Sequence, residues 1–181
     1  MFNPEGVLYG RLPGYYLSDL GEQMAVRAAD ALAGHDISHV ISSPMERAQQ
    51  TATPMAQKHD LAIEIDPHLI EADNVFEGQR VSVGDGVLKQ PRAWRHLWNP
   101  FRPSWGEPYD EVAARMHLAI DSARDRARGH EAVLISHQLP IWIARLKAEE
   151  RRLWHDPRSR QCSLASLTSL TYDGDTPVSY K

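Results

Sequence analysis

One arginine follows directly on a predicted strand, where its side chain could bind an anion. The segment Ile37–Ile41 has β-branched residues at both ends, which predicts a buried strand that the following Ser-Ser-Pro ends. Pro44 suits the first position of a helix and Ser43 suits its N-cap. Arg47 would then lie in the first turn, close to free backbone N–H groups and to the positive end of the helix dipole.

A second predicted strand ends at a histidine. The apolar segment Ala132–Ile135 is followed by Ser136 and His137. Open α/β sheets bind ligands at the carboxyl ends of their strands, so Arg47 and His137 are expected to meet there. Each motif alone occurs in many α/β proteins. Together they predict a pocket for a tetrahedral anion.

The rest of the chain must supply the elements that position these two side chains. Apolar residues recur at helical spacing in four segments, and short apolar or alternating runs lie between them. The predicted helices follow Ser18, Pro44 and Pro108 and cover Leu139–Leu153, and the predicted strands cover Ile37–Ser42, Leu61–Asp66, His130–Ile135 and Ser163–Tyr172. Pro54 is expected to break or kink the second helix. Leu61–Asp66 is expected at a sheet edge.

Taken in order, these motifs resemble the histidine phosphatase superfamily, which includes phosphoglycerate mutases and small broad-specificity phosphatases. The matching residues extend over nearly the whole chain: Asn3, Gly10 to Gly14, Leu17 to Gln23, Ser42 to Ala48, Glu71, Phe76 to Gly78, Trp105 to Pro108, Ser136 and His137. The resemblance implies a phosphoglycerate mutase-like α/β fold. It would be a single three-layer α/β/α domain over residues 1–181, with a mostly parallel sheet and an irregular lid or insertion over residues 79–108.

The resemblance also assigns catalytic roles. Arg47 would hold phosphate oxygens with its planar guanidinium fork, and His137, if charged, would donate to another oxygen. Glu71 matches the acid that protonates the leaving oxygen, which requires a raised carboxyl pKa. Glu77 is the competing candidate for that acid.

Three further residues are candidates for binding the substrate. By resemblance, the loop that contains Asn3 and Arg11 borders the phosphate pocket, although Arg11 could equally be a surface residue in a turn. Gln138 stands where the family usually has glycine. Its side chain is expected to narrow the pocket or to add an amide contact.

One departure from the family pattern concerns the nucleophile. The family's Arg-His-Gly, whose histidine takes the phosphoryl group, would precede Asn3 and is not in the sequence. The first strand, normally central in the sheet, would be missing with it. A misplaced start codon, a deliberate cut and a natural non-catalytic form are all open, and the first is favoured because the resemblance begins at residue 2. The place of the missing strand would have to be filled by closure of the sheet or by another chain, so a homo-oligomer is possible.

Two classes of function follow. The first is a phosphomonoester hydrolase that acts through a phosphohistidine from an upstream segment, so that this chain alone is inactive. A phosphoglycerate mutase is a variant of it, less favoured because no long insertion is obvious near Glu71. The second is a pseudo-phosphatase that holds phosphate or a phosphorylated ligand without turnover.

Composition limits the partners. The 181 residues are 42% hydrophobic, which suits one domain with a sizeable core, and the net charge of −4 gives no electrostatic case for nucleic acid or an acidic membrane. The expected ligand is a small phosphorylated metabolite or inorganic phosphate. The single cysteine, Cys162, excludes an internal disulfide, and with no signal peptide or apolar run of transmembrane length a cytoplasmic location is expected.

No cofactor or metal is expected. Zinc sites use clustered ligands, and among the nine histidines only His35 and His39 have a four-residue spacing. Gly34 and the strand that follows argue against a shared helical face for this pair.

Overall fold

A computed structural model describes residue 3 and residues 6–80, 105–156 and 160–180. Its helices are α1 (Asp19–Ala31), α2 (Glu46–His59), α3 (Tyr109–Arg126), α4 (Gln138–Ala148) and a short 3-10 helix (Pro67–Leu69), and its strands are β1 (Ile37–Ser42), β2 (Ile63–Ile65), β3 (Glu131–Ile135), β4 (Leu170–Asp173) and β5 (Thr176–Tyr180). Most of the segment predicted as a lid or insertion, residues 81–104, lies outside the described residues. Among the described helices, none is long and apolar enough to cross a membrane.

The sheet that supports the rest of the fold has parallel strands in the order β2-β1-β3. Helices cover both of its faces, because neighbouring residues along each strand point to opposite sides. Val40 packs with Ala52 and Met55 in the core against α1 and α2, whereas Ile41 packs with Met116 and Ile143 in the core against α3 and α4. The predicted three-layer α/β/α architecture with a parallel sheet is therefore confirmed.

The register of β1 and β3 places their carboxyl ends side by side. Ser42 is paired with Ile135, and the backbone N–H of Ser43 donates to the carbonyl of Ile135 over 2.9 Å. The first residues after both strands are therefore neighbours. This pairing creates the meeting point that the sequence predicts.

Two helix predictions need correction. Helix α2 begins at Glu46 instead of Pro44, and it runs through Pro54 to His59, so of the predicted break or kink at Pro54 the break is wrong. A helix can tolerate the lost N–H of an interior proline when tertiary packing holds both sides. Here Ala52 and Met55 are buried against the sheet on either side of the proline. Helix α4 ends at Ala148, five residues before the predicted end at Leu153.

The carboxyl-terminal segment forms a hairpin where the sequence predicts one strand. Strand β4 occupies only the end of the predicted segment Ser163–Tyr172, and β5 has no counterpart in the prediction. The predicted turn at Asp173–Asp175 joins the two antiparallel strands. The strand predicted over Leu61–Asp66 is β2, which is shorter but lies at the sheet edge as expected.

The outer edge of β3 is open within the described part of the chain. Strand β3 pairs with β1 on one side, and no described residue pairs with it as a strand on the other. Its residues Val133, Leu134 and Ile135 are only partly buried, although they belong to the middle of a three-layer fold. This edge of the described sheet therefore has room for a further strand.

Candidate active site

Buried polar side chains gather at the ends of β1 and β3. His137 is the N-cap residue of α4, and its Nε2 lies 2.8 Å from the Oγ of Ser43. Ser43, Arg47 and His137 are all buried. The register of β1 and β3 places the starts of α2 and α4 side by side. As a result, the side chains of Arg47 and His137 line one cavity of about 530 Å³.

Arg47 is held from two sides but keeps one nitrogen unpaired. Its Nη2 donates to the carbonyl of Gly10 over 2.7 Å, and its guanidinium lies 5.0 Å from the ring centre of Tyr9. Its Nη1 is buried and has no hydrogen-bond partner among the described residues. A buried unpaired N–H on a cation is costly, and an anion in the cavity would remove that cost.

Glu71 lines the same cavity and has a raised carboxyl pKa. Burial raises the pKa of its carboxyl, while the hydrogen bond from the Ala72 N–H to Oε1, at 2.8 Å, and the charge of Arg47 oppose the rise. A carboxyl with a raised pKa can hold its proton closer to neutral pH and release it in a reaction. The competitor Glu77 instead accepts the Arg11 N–H at its Oε1 over 2.8 Å.

Glu107 holds together the segments around Glu71. Its carboxylate accepts from Arg11 Nη2 over 2.8 Å and from Arg115 Nε over 2.7 Å, so it pairs with both cations. A Cβ atom on the preceding Gly106 would lie 2.3 Å from the carbonyl oxygen of Asp73, so only glycine fits this close approach. The Gly106-Glu107 motif therefore fixes the loop that supports the pocket.

The three predicted substrate-binding residues take different positions. Arg11 donates from Nε to the carbonyl of Glu71 over 2.7 Å, in addition to its ion pair with Glu107, and so positions the loop that carries Glu71. Asn3 donates to the carbonyl of Val7 over 2.9 Å and does not line the cavity. Gln138 does line it, and donates to the carbonyl of Cys162 over 2.7 Å. Direct contact of these side chains with a substrate stays a prediction.

His137 has a strongly lowered pKa and is neutral near pH 7. Burial, with smaller contributions from the charges of Arg47 and Arg115, lowers its pKa from 6.5 to about 3. A phosphate dianion in the cavity would favour the charged imidazolium, because opposite charges at short range stabilise each other. A charged His137 would therefore require the anion beside it.

The low pKa of His137 makes stability depend on pH. Between pH 6.5 and about 3 an unfolded histidine takes up a proton that the folded one refuses, so the free energy of unfolding falls as the pH drops. We expect up to about 1.4 kcal/mol to be lost per pH unit across this range. Urea unfolding at pH 7.5, 6.5 and 5.5 measures it, and His137→Asn should show a flatter dependence. Equal slopes for the two proteins would mean that His137 accepts a proton without unfolding.

The cavity has two regions of different character. The polar end is formed by Arg47, Glu71, His137 and Arg160, and the apolar slot runs along the open edge of β3. The slot is lined by Met24, Ala28, Val133, Ile135, Leu164 and Leu167. Within the described residues, no group of three histidine, cysteine or acidic side chains could hold a metal ion.

Sequence reasoning misses three contributors to the site. Tyr9 stacks on Tyr15 with ring centres 5.3 Å apart and supports Arg47, but its loop gives no periodic pattern to read. The sequence predicts a helix cap at Ser43, whereas its hydroxyl contacts His137. Arg160 lies in an irregular segment, and no sequence signal places it at the pocket.

Comparison with known proteins covers nearly the whole chain. The sequence profile of the histidine phosphatase superfamily (branch 1) matches residues 1–180. A Mycobacterium tuberculosis protein, Rv0525, is 61% identical over 176 residues, which are 97% of this chain and 87% of the relative. The probable phosphoglycerate mutase GpmB of Yersinia pestis is 31% identical over 162 residues, 83% of this chain and 72% of the relative.

Solved structures share the fold. YhfR of Bacillus stearothermophilus superposes with a TM-score of 0.78 at 24% identity, over 96% of this chain and 87% of that one. A mycobacterial glucosyl-3-phosphoglycerate phosphatase superposes with a TM-score of 0.74 at 23% identity, over 97% and 89% of the two chains. That phosphatase has also been solved with VO3 and with inorganic phosphate.

Proposed function

The chain belongs to the histidine phosphatase superfamily, and from that premise we propose that it is a phosphomonoester hydrolase acting through a phosphohistidine. One observation carries the proposal. A single cavity holds Arg47 with an unpaired buried N–H, neutral His137 and Glu71 with a raised carboxyl pKa. These are the anion donors and the acid that phosphoryl transfer requires.

The chemistry divides among these residues. Arg47 and His137 donate to the non-bridging oxygens and stabilise the charge that spreads over them in the transition state. As the bond between phosphorus and the ester oxygen breaks, a bond to an imidazole nitrogen forms, and the proton of Glu71 goes to the departing alcohol oxygen. In the second half, water attacks phosphorus, Glu71 takes the water proton, and inorganic phosphate leaves with the imidazole restored.

The imidazole that accepts the phosphoryl group comes, in this proposal, from an upstream Arg-His-Gly segment that residues 1–181 do not contain. The apolar slot beside β3 supports this origin. A strand lying in the slot would pair with the free edge of β3 and, if parallel, would end beside Arg47 and His137. The chain without that segment would bind phosphate and fail to hydrolyse its esters.

Two alternatives keep the same anion site. A pseudo-phosphatase that binds a phosphorylated ligand without turnover is favoured by the buried Nη1 of Arg47, which has no partner among the described residues and needs only an anion. A phosphoglycerate mutase is favoured by the likeness to GpmB of Yersinia pestis. In each case the ligand is a small phosphorylated metabolite or inorganic phosphate.

The decisive test compares phosphomonoester hydrolysis by this chain and by an N-terminally extended form that includes the Arg-His-Gly segment. We expect turnover only in the extended form, and a phosphorylated intermediate trapped by acid quenching that maps to the added histidine. Equal activity in both forms would mean that the nucleophile has been misidentified. If both bind phosphate and neither turns over, the binding module is the correct interpretation.

A further inference from the structure

Arg160 is a second cation at the polar end of the cavity that the proposed mechanism does not use. Its side chain is partly buried and lines the cavity together with Arg47, and its charge acts on the carboxyl of Glu71. Among the described residues, no acidic side chain forms an ion pair with it. Its positive charge is therefore directed at a shared pocket without a fixed partner.

A neutral group holds Arg160 in place. Its Nε donates to Nε2 of His155 over 2.9 Å, and Tyr109 lines the cavity with it. Because Nε2 of His155 accepts this bond, the ring's hydrogen is on Nδ1 and donates to the carbonyl of Leu153 over 2.8 Å. The His155 ring packs 5.5 Å from Tyr109 and 6.1 Å from Trp142. The guanidinium is thus positioned without being neutralised.

The other cations near the pocket are already compensated. Arg11 and Arg115 both pair with Glu107. Arg47 and His137 together serve one phosphoryl group, and burial raises the pKa of Glu71, which reduces the negative charge available to Arg160. One cation is left over when a phosphate occupies the site.

We propose that Arg160 binds a second anionic group of the substrate, so that the preferred substrates are phosphomonoesters that also carry a carboxylate or a second phosphate. This rests on the proposed function and adds the substrate class to it. The end of the guanidinium that is not used by His155 offers the planar N–H groups that such oxyanions accept.

Calorimetric titration of this chain tests the inference without turnover. The probes are inorganic phosphate, glycerol 3-phosphate and 3-phosphoglycerate, of which the last two differ by a carboxylate in place of a hydroxymethyl group. We expect 3-phosphoglycerate to bind about tenfold more tightly than glycerol 3-phosphate, the worth of one charge-assisted contact. In Arg160→Gln that preference should fall to within about twofold, while the affinity for inorganic phosphate changes by less than about threefold.

Matched variants and probes separate the competing causes. Arg152→Gln removes an exposed arginine outside this cavity and should leave the preference intact. Arg160→Lys keeps the charge and should keep part of the preference, and thermal melts confirm that each variant is folded. Fructose 1,6-bisphosphate against fructose 6-phosphate shows whether a second phosphate replaces the carboxylate.

Two results would overturn the inference. Unaltered protein that discriminates in neither pair of probes has no second anion site. Arg160→Gln that weakens inorganic phosphate and all esters equally would assign Arg160 to the phosphoryl group itself. Failure of every probe, including inorganic phosphate, to bind the unaltered protein would instead refute the proposed function, and the inference with it.

Discussion

Arg47→Met is expected to weaken the binding of inorganic phosphate by about a hundredfold to a thousandfold. The arginine is buried and has an Nη1 group with no partner among the described residues, so its full charge is available to the ligand. Methionine matches much of its length and removes the charge. In the N-terminally extended form, hydrolysis should fall by at least about a hundredfold, the usual effect of removing one donor to a transition-state oxygen.

Stability distinguishes this functional role from a structural one. Removing one member of a satisfied buried ion pair typically costs about 3–5 kcal/mol, but the structure gives Arg47 no ion pair among the described residues. We expect the free energy of unfolding of the ligand-free variant to change by less than about 2 kcal/mol, mainly through the lost bond to the Gly10 carbonyl. Added phosphate should raise the melting temperature of the unaltered protein and not that of the variant.

Arg27→Met is the matched control, because Arg27 is exposed on α1 and does not line the cavity. It removes the same charge and should leave phosphate affinity within about twofold at fixed ionic strength. The assignment of Arg47 to the anion site would be wrong if Arg47→Met retained phosphate affinity comparable with that of Arg27→Met.

Local sequence is sufficient to locate the two strand ends. The segments before Ser43 and before Ser136 each contain the signal of a short buried strand and its stop, and parallel pairing then brings Arg47 and His137 together. The proposal that Glu71 is the acid comes only from the family resemblance. Nothing in the sequence around Glu71 separates it from Glu77, whereas in the structure Glu71 lines the cavity and Glu77 does not.

The parts that could not be predicted depend on contacts between distant segments. Glu107 acts by pairing with Arg11 and Arg115, which no local pattern connects. Arg160 reaches the pocket from an irregular segment, so neither periodicity nor capping rules identify it. The break predicted at Pro54 is wrong for the same reason, since the packing of α2 against the sheet outweighs the local cost of proline.

Glu71→Gln should reduce hydrolysis of alkyl phosphates by the extended form by about a hundredfold to ten-thousandfold, the range of general acid catalysis. Glutamine keeps the shape and can still accept the Ala72 N–H, but it has no proton to give. Esters of 4-nitrophenol, whose leaving oxygen needs little protonation, should lose much less. Phosphate affinity should stay nearly constant, because this residue acts on the departing oxygen.

The pH profile adds a second readout for the same residue. Because burial raises the pKa of the Glu71 carboxyl, alkyl phosphate hydrolysis should decline as the pH rises through that value and the acid form disappears. In Glu71→Gln this decline should be absent from the residual rate. Glu77→Gln retains an oxygen for the Arg11 N–H and should keep both the rate and its dependence on pH. If instead Glu77→Gln flattened the pH profile and Glu71→Gln did not, the acid would be Glu77. Only the group that supplies the proton makes the rate of the leaving-group step follow its own titration.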